Sequence, residues 1–245
     1  MKKFYLLLAF LVLGVSFGFS LILGPPIMVE CVKCGAKKNL MSIVSGNTFG
    51  AIEWSDLFLD APMLPRISPI QKCDSCNALF IIKKADIKRS DNPQNISQET
   101  GRLSWNEIKN IVPFLNDSTL SSDDQYAARL EILQRFNDAF RFLDTNENDR
   151  DREENLGIEE RTEADWELHR QNIEGIVALF DAQNPIYYPL IAEFYREAGR
   201  FDEALILLED YQPTDDVAKF TQTIKAKALE KDFKVFPLQD EDERN

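Results

Sequence analysis

The chain has 245 residues, 44% hydrophobic and 28% charged, enough for a small domain plus one helical domain with a sizeable core. Its net charge of −13 is uneven: residues 1–85 carry nine Lys/Arg against five Asp/Glu, and the rest carry 19 against 36. An acidic C-terminal half repels phosphate, which disfavours nucleic-acid binding by the whole protein and leaves only the N-terminal part as a candidate for it.

Met1-Lys2-Lys3 precede an apolar stretch from Phe4 to Leu23, and about 20 such residues suffice for a helix to cross a bilayer. This predicts a membrane anchor or signal segment over 1–24. The stretch is longer than the roughly 7–15 residues of a signal-peptide core, and Leu21-Ile22-Leu23 continue it past the small-x-small sites at Ser16–Gly18 and Gly18–Ser20. An uncleaved anchor is therefore expected, with Lys2 and Lys3 holding the N-terminus in the cytoplasm and the remainder extracytoplasmic. Cleavage would instead give a secreted or periplasmic protein, and a native start near Met28 a cytoplasmic one.

After Pro25-Pro26, Ile27-Met28-Val29 reads as a strand. It leads into Cys31-Val32-Lys33-Cys34, which is matched 38 residues later by Cys73-Asp74-Ser75-Cys76; the chain has no other cysteine. Two C-x-x-C steps suit one tetrahedral ion, since two intervening residues let each pair grip one edge of the tetrahedron. The expected cofactor is one structural Zn2+ held by Cys31, Cys34, Cys73 and Cys76. Four thiolates leave no position open for water, so the metal is not catalytic. Outside the cytoplasm the same thiols could form two disulfides or act as redox dithiols. Gly35 and Asn77, just after the pairs, are the residue types that most readily take the left-handed conformation of a reversing turn. Ala78-Leu79-Phe80-Ile81-Ile82 then reads as a strand.

These features resemble the zinc-ribbon family, whose knuckles usually read C-P-x-C-G. Here the proline is absent from both knuckles and the glycine from one. The resemblance covers residues 28–84 at most; it implies a fold and a metal but no activity.

Between the knuckles lies an insert, Ser45-Gly46-Asn47-Thr48-Phe49-Gly50, Trp54-Ser55-Asp56 and Ala61-Pro62-Met63-Leu64-Pro65. Glycine and asparagine specify turns, while Phe49, Trp54, Met63 and Leu64 need cover. Either they form the ribbon's own small core, or Asn47, Thr48, Trp54 and Asp56 present a binding surface. The string from Ser45 to Phe80 also resembles uncharacterised bacterial proteins that join a ribbon to a helical tail, which implies kinship and no activity.

Residues 86–103 are polar and read as a linker between a ribbon at 25–85 and a helical domain at 104–238. Ser104-Trp105-Asn106-Glu107 is a capping box, opening a short helix that Pro113 bends or ends. The next helix follows Ser121-Ser122 and carries Ala127, Leu130, Ile132, Leu133, Phe136, Ala139, Phe140 and Phe142-Leu143 as an apolar stripe, which makes it the longest and most central. Asp144–Asp149 opens like an EF-hand loop, but Asp149 stands where the turn needs glycine and Asn155 where glutamate closes the cage. It reads as a solvated acidic loop. His169, on a helix from about Thr162 to Asp181, has no catalytic partner in sequence. Asn184-Pro185 starts a further helix.

From Tyr188 to Tyr211, Ile191-Ala192, Tyr195, Gly199, Phe201 and Ala204 resemble one tetratricopeptide repeat within a hairpin at 185–211. The small alanines sit where two antiparallel helices cross. A last helix follows Pro213.

The fold class expected is α+β: a small β-rich zinc ribbon, then an all-α, repeat-like domain, behind an N-terminal transmembrane or signal helix. No nucleophile-base pair, phosphate loop or open metal site emerges, so the expected role is a non-enzymatic scaffold that binds a protein or peptide partner while tethered to the membrane. The alternatives are a nucleic-acid-binding ribbon and a thiol redox protein.

Overall fold

A computed structural model describes residues 22–61, 64, 66–90, 96–97, 103–141 and 160–239. Among these residues, small β-sheets fill the N-terminal part and six α-helices the C-terminal part, a mixed α+β architecture. No helix among them is long and apolar enough to cross a membrane. Residues 1–21 of the expected apolar segment lie outside the described residues. Its last residues, Ile22 and Leu23, form a strand and not a helix.

The first four strands nest as one long antiparallel hairpin. Strand β2 (Ile27–Glu30) pairs with β3 (Lys37–Leu40), and β1 (Ile22–Leu23) pairs with β4 (Ile43–Ser45) further from the tip. Pro25 and Pro26 lack the N–H groups a ladder needs, so the pairing is interrupted there. The gap is bridged by the Gly24 N–H donating to the Ser42 carbonyl at 2.9 Å and the Ser42 hydroxyl donating to the Pro25 carbonyl at 2.6 Å. A Cβ on Gly24 would lie 2.3 Å from Ser42 Oγ, so this close approach requires glycine.

In the insert, β5 (Ile52–Glu53) pairs with β6 (Leu59–Asp60), and a second hairpin follows from β7 (Ile70–Lys72) and β8 (Leu79–Ile81). Within residues 86–103, expected to be a linker, the described residues supply both edges of the four-stranded sheet. There β9 (Lys88–Arg89) pairs antiparallel with β2 and β10 (Ile96–Ser97) parallel with β3, giving the order β10-β3-β2-β9. Hydrogen-bonding capacity left open on the outer sides of β2 and β3 explains why short polar segments settle there.

The capping box at Ser104 and Glu107 forms as expected and opens α1 (Trp105–Ile108), which passes into a 3-10 segment over Lys109–Asn116 containing Pro113. The long central helix is α2 (Ser122–Arg141), with Ile132, Leu133 and Phe136 fully buried. Thr162 caps α3 (Glu163–Val177), where the Thr162 side chain accepts from the Asp165 N–H. Asn184 and Pro185 begin a 3-10 turn leading into α4 (Tyr188–Glu197), and Gly199, at φ +75°, turns the chain into α5 (Phe201–Leu208). Ala192 and Ala204 are fully buried where these two helices meet. The last helix is α6 (Asp215–Leu229). The acidic loop at 144–149 and residues 240–245 lie outside the described residues.

The β region is not an independent bead. Ile70 is fully buried in one cluster with Trp105, Ile108, Ile132 and Phe136, with Leu79 and Ile81 packed against it. The opposite face of the same hairpin sends Phe80 into a cluster with Val29, Cys31, Leu40 and Cys73. Strand alternation thus lets three successive residues, Leu79-Phe80-Ile81, serve two cores. Burying each such large apolar side chain contributes about 1.5–3 kcal/mol. The C-terminal segment closes the join: beyond α6 it returns to the insert, where Pro237 bridges Trp54 and the Leu238 N–H donates to the Glu53 carbonyl at 2.8 Å.

Candidate metal centre

The two knuckles share one local design. Cys31–Ala36 and Cys73–Ala78 are six-residue loops of the pattern Cys-x-x-Cys-Gly/Asn-Ala, each set between paired strands. In the first, the Cys31 N–H donates to the Ala36 carbonyl and the Gly35 N–H to the Cys31 carbonyl, both at 2.8 Å. In the second, the Cys73 N–H donates to Ala78 at 2.9 Å and the Asn77 N–H to Cys73 at 2.8 Å. Gly35 and Asn77 stand at φ +71° and +57°, the left-handed conformation their residue types predict.

The knuckles bring Cys31, Cys34, Cys73 and Cys76 together, their sulfurs all within 4.8 Å of one another and none in a disulfide. Close contacts run across the knuckles, with Cys31 Sγ 3.8 Å from Cys76 Sγ and Cys34 Sγ 3.5 Å from Cys73 Sγ. Four sulfurs about 2.3 Å from a central ion form a tetrahedron with edges of about 3.8 Å. The donor set and its spacing fit a metal ion.

The sulfurs divide charge unequally. The Cys76 backbone N–H lowers the Cys73 thiol to about 6. The Ala36 backbone N–H also favours a thiolate at Cys34, but hydrogen bonding with the Cys76 and Cys73 sulfurs outweighs it and raises that thiol to about 12. A bound cation would replace the shared protons. Beneath the cluster lie Val29, Leu40 and Phe80, which shield Cys31 and Cys73 from water, while Cys34 is exposed. Lys38 crosses to Asp74 at 3.2 Å, joining β3 to the second knuckle.

The other four candidate residues do not form one surface. Thr48 is exposed and Asn47 half-buried, with Asn47 Oδ1 accepting from the Phe49 N–H at 2.7 Å in a local turn. Trp54 and Asp56 are buried, at 5% and 0% exposure, and offer nothing to an external partner. Phe49, expected to need cover, is 84% exposed. Trp54 belongs to a small cluster with Phe58 and Val235, the last supplied by the C-terminal segment.

Asp56 is the centre of a polar interlock that sequence reasoning missed. Arg141 grips both of its carboxylate oxygens, the bond to Oδ1 being 2.7 Å, and Phe58 lies 4.4 Å from the guanidinium carbon. Asn137 donates to Asp56 Oδ2 at 3.0 Å and to Glu197 Oε2 at 2.8 Å, joining insert, α2 and α4. Burial, with the Glu193 and Asp56 carboxylates close by, raises the Glu197 carboxyl well above the usual range. His169 is fully buried, stacked on Phe136 at 3.7 Å, and burial lowers it to about 3, so it is neutral at physiological pH. No periodic pattern marks these residues, since each partner lies on a different element.

A groove of about 780 Å³ lies beside the first knuckle, between its tip residues Val32 and Lys33, strand β8 and the 3-10 segment. Val32 and Phe114 stand 72% and 70% exposed on it. No protein-family model, curated protein or solved structure matches the chain.

Proposed function

We propose that the protein is a non-catalytic, membrane-tethered binding protein whose ribbon is held by one structural Zn2+ at Cys31, Cys34, Cys73 and Cys76. The sulfur tetrahedron carries this reading: its cross-knuckle contacts of 3.8 and 3.5 Å match the edges of a four-thiolate site. Zinc suits four thiolates that close the coordination sphere, and its role is to fix two knuckles that have little core of their own.

The surface that best supports partner binding is the groove at the first knuckle. Val32 and Phe114 are exposed apolar side chains lining it, together with the exposed Lys33, while Lys83 donates to Thr119 Oγ1 at 3.1 Å close to Asp117. That combination suits an apolar peptide segment with an acidic residue near Lys33. The α4–α5 hairpin is read as a tetratricopeptide-like helix pair, packed against α6. Tethering follows from the apolar stretch Phe4–Leu21, with the remainder extracytoplasmic.

The test joins composition to contact. Protein purified from its host should carry one zinc per chain and release four thiols on denaturation with a chelator. A photo-crosslinker placed at Phe114 should give one discrete adduct that Val32→Asp abolishes, while the same group at Ile206, also exposed, gives none. Absence of metal with all four cysteines oxidised would defeat the zinc reading. Equal crosslinking from Phe114 and Ile206 would defeat the groove.

A further inference from the structure

The first hairpin pairs two stretches that are exceptional in a chain with 28% charged residues: 4–29 and 39–52 contain no Asp, Glu, Lys or Arg. They meet at the base of the hairpin, where β1 pairs with β4, Ile22 opposite Ser45 and Leu23 opposite Ile43. This base is uncovered: Ile22 and Leu23 are each 52% exposed, Val44 is 69% and Phe49, in the turn after β4, is 84%. A soluble surface normally separates large apolar side chains with charges, and a contiguous uncharged patch marks a contact site.

From the pairing of these two stretches, we infer that the β1–β4 base and the turn at 46–50 rest in the interfacial layer of a lipid bilayer. Ile22, Leu23, Val44 and Phe49 are the residues that enter it. The occupant follows from chain connectivity and charge. The apolar stretch Phe4–Leu21 runs into Ile22 with no polar spacer, so a bilayer that holds this stretch also lies against β1. Uncharged strands enter the hydrated headgroup layer without stranding a charge, and Asn47 already satisfies the Phe49 N–H within the turn. The excess of acidic residues beyond residue 85 would be repelled by anionic headgroups, which leaves the uncharged base as the part suited to approach. This contact rests on the tethered reading above, and its test separates the two.

The full chain is reconstituted in phosphatidylcholine vesicles and floated on a density gradient. Phe49→Trp adds a fluorophore at the turn, and Ile206→Trp adds one at an equally apolar exposed site on α5; wild type supplies the background of the native tryptophans. Interfacial elements sit about 5–10 Å into the headgroup and acyl boundary. Lipids brominated near the headgroup should therefore remove most of the emission that Phe49→Trp adds, lipids brominated at the chain ends should remove less, and neither should affect Ile206→Trp. Chains that fail to float overturn both the tether and the contact. Chains that float while the Phe49→Trp emission stays unquenched overturn the contact alone. The same holds if that emission is shielded only as protein concentration rises, which would assign the patch to a second copy of the chain. Equal quenching at both positions also overturns it.

Discussion

Arg141, the last residue of α2, holds Asp56 in the ribbon insert by a bidentate ion pair with both side chains fully buried, across 85 residues of sequence. Removing one partner of such a pair leaves a charge stranded away from water, which costs about 3–5 kcal/mol. Asp56→Ala should therefore lower unfolding free energy by about that amount, read from denaturant melts. Asp56→Ala combined with Arg141→Met should recover part of the loss. Equal destabilisation by the single and double variants would mean that the pair acts only through packing.

A metal ion held by the four cysteines should control the two knuckles and spare the helices. Cys73→Ser, or extraction of the metal, should abolish the tetrahedral thiolate spectrum obtained with cobalt and expose the amides of β2, β3, β7 and β8 to exchange. Helices α3–α6 pack in clusters that contain no cysteine and should keep their far-ultraviolet signal. Collapse of the helices together with the ribbon would show that Ile70 and the C-terminal segment couple the two parts more tightly than the metal alone requires.

Two buried groups should make stability depend on pH in opposite directions. His169 is lowered to about 3, so the unfolded chain takes up its proton first, and stability is lost as pH falls from about 6.5 towards 3. Glu197 is raised, so the folded chain keeps its proton longer, and stability is lost as pH rises above the ordinary glutamate value of about 4.3. Melts across pH should show His169→Phe flattening the loss on acidification below about 6.5 and Glu197→Gln flattening the loss that sets in above about 4.3. A Glu197→Gln variant with the wild-type slope would remove this carboxyl from the account.

Gly175 in α3 faces the buried Arg129 of α2, where a Cβ would lie 2.2 Å from the guanidinium carbon. Alanine ordinarily favours a helix over glycine by about 1 kcal/mol. Here the displaced guanidinium, which donates to Asn116 Oδ1 at 2.6 Å, should reverse the sign. Gly175→Ala should destabilise by about 1–3 kcal/mol in thermal or denaturant melts. A gain in stability would show that Arg129 moves without cost.

What the sequence made legible was local. The knuckles were visible because ligands, turn residues and the strand at Leu79–Ile81 all lie within a few residues of one another, and the same holds for the Ser104 cap. The polar interlock was not visible, because Asp56 is unremarkable until Arg141 and Asn137 arrive from another element. Its neighbour Trp54 left two readings open, the ribbon's own small core or a binding surface, and the structure shows a third, burial against Phe58 and the C-terminal segment's Val235. The edge strands β9 and β10 escaped notice because their short polar sequences are indistinguishable from a linker until the open sides of β2 and β3 are in view. Likewise nothing near Pro237 announces that it returns to Trp54.

The nested first hairpin has a mechanical meaning. From Ile22 at its base to Glu30 beside the first knuckle there are eight residue steps, at most about 26 Å of strand. Because both arms are stitched together, even across Gly24 and Ser42, the hairpin acts as a ruler: it fixes how far Val32 and Lys33 stand from whatever holds the base. A partner would be selected by height as well as by chemistry. Lengthening both arms by two residues, which preserves the side-chain alternation, would shift that height without altering the knuckle.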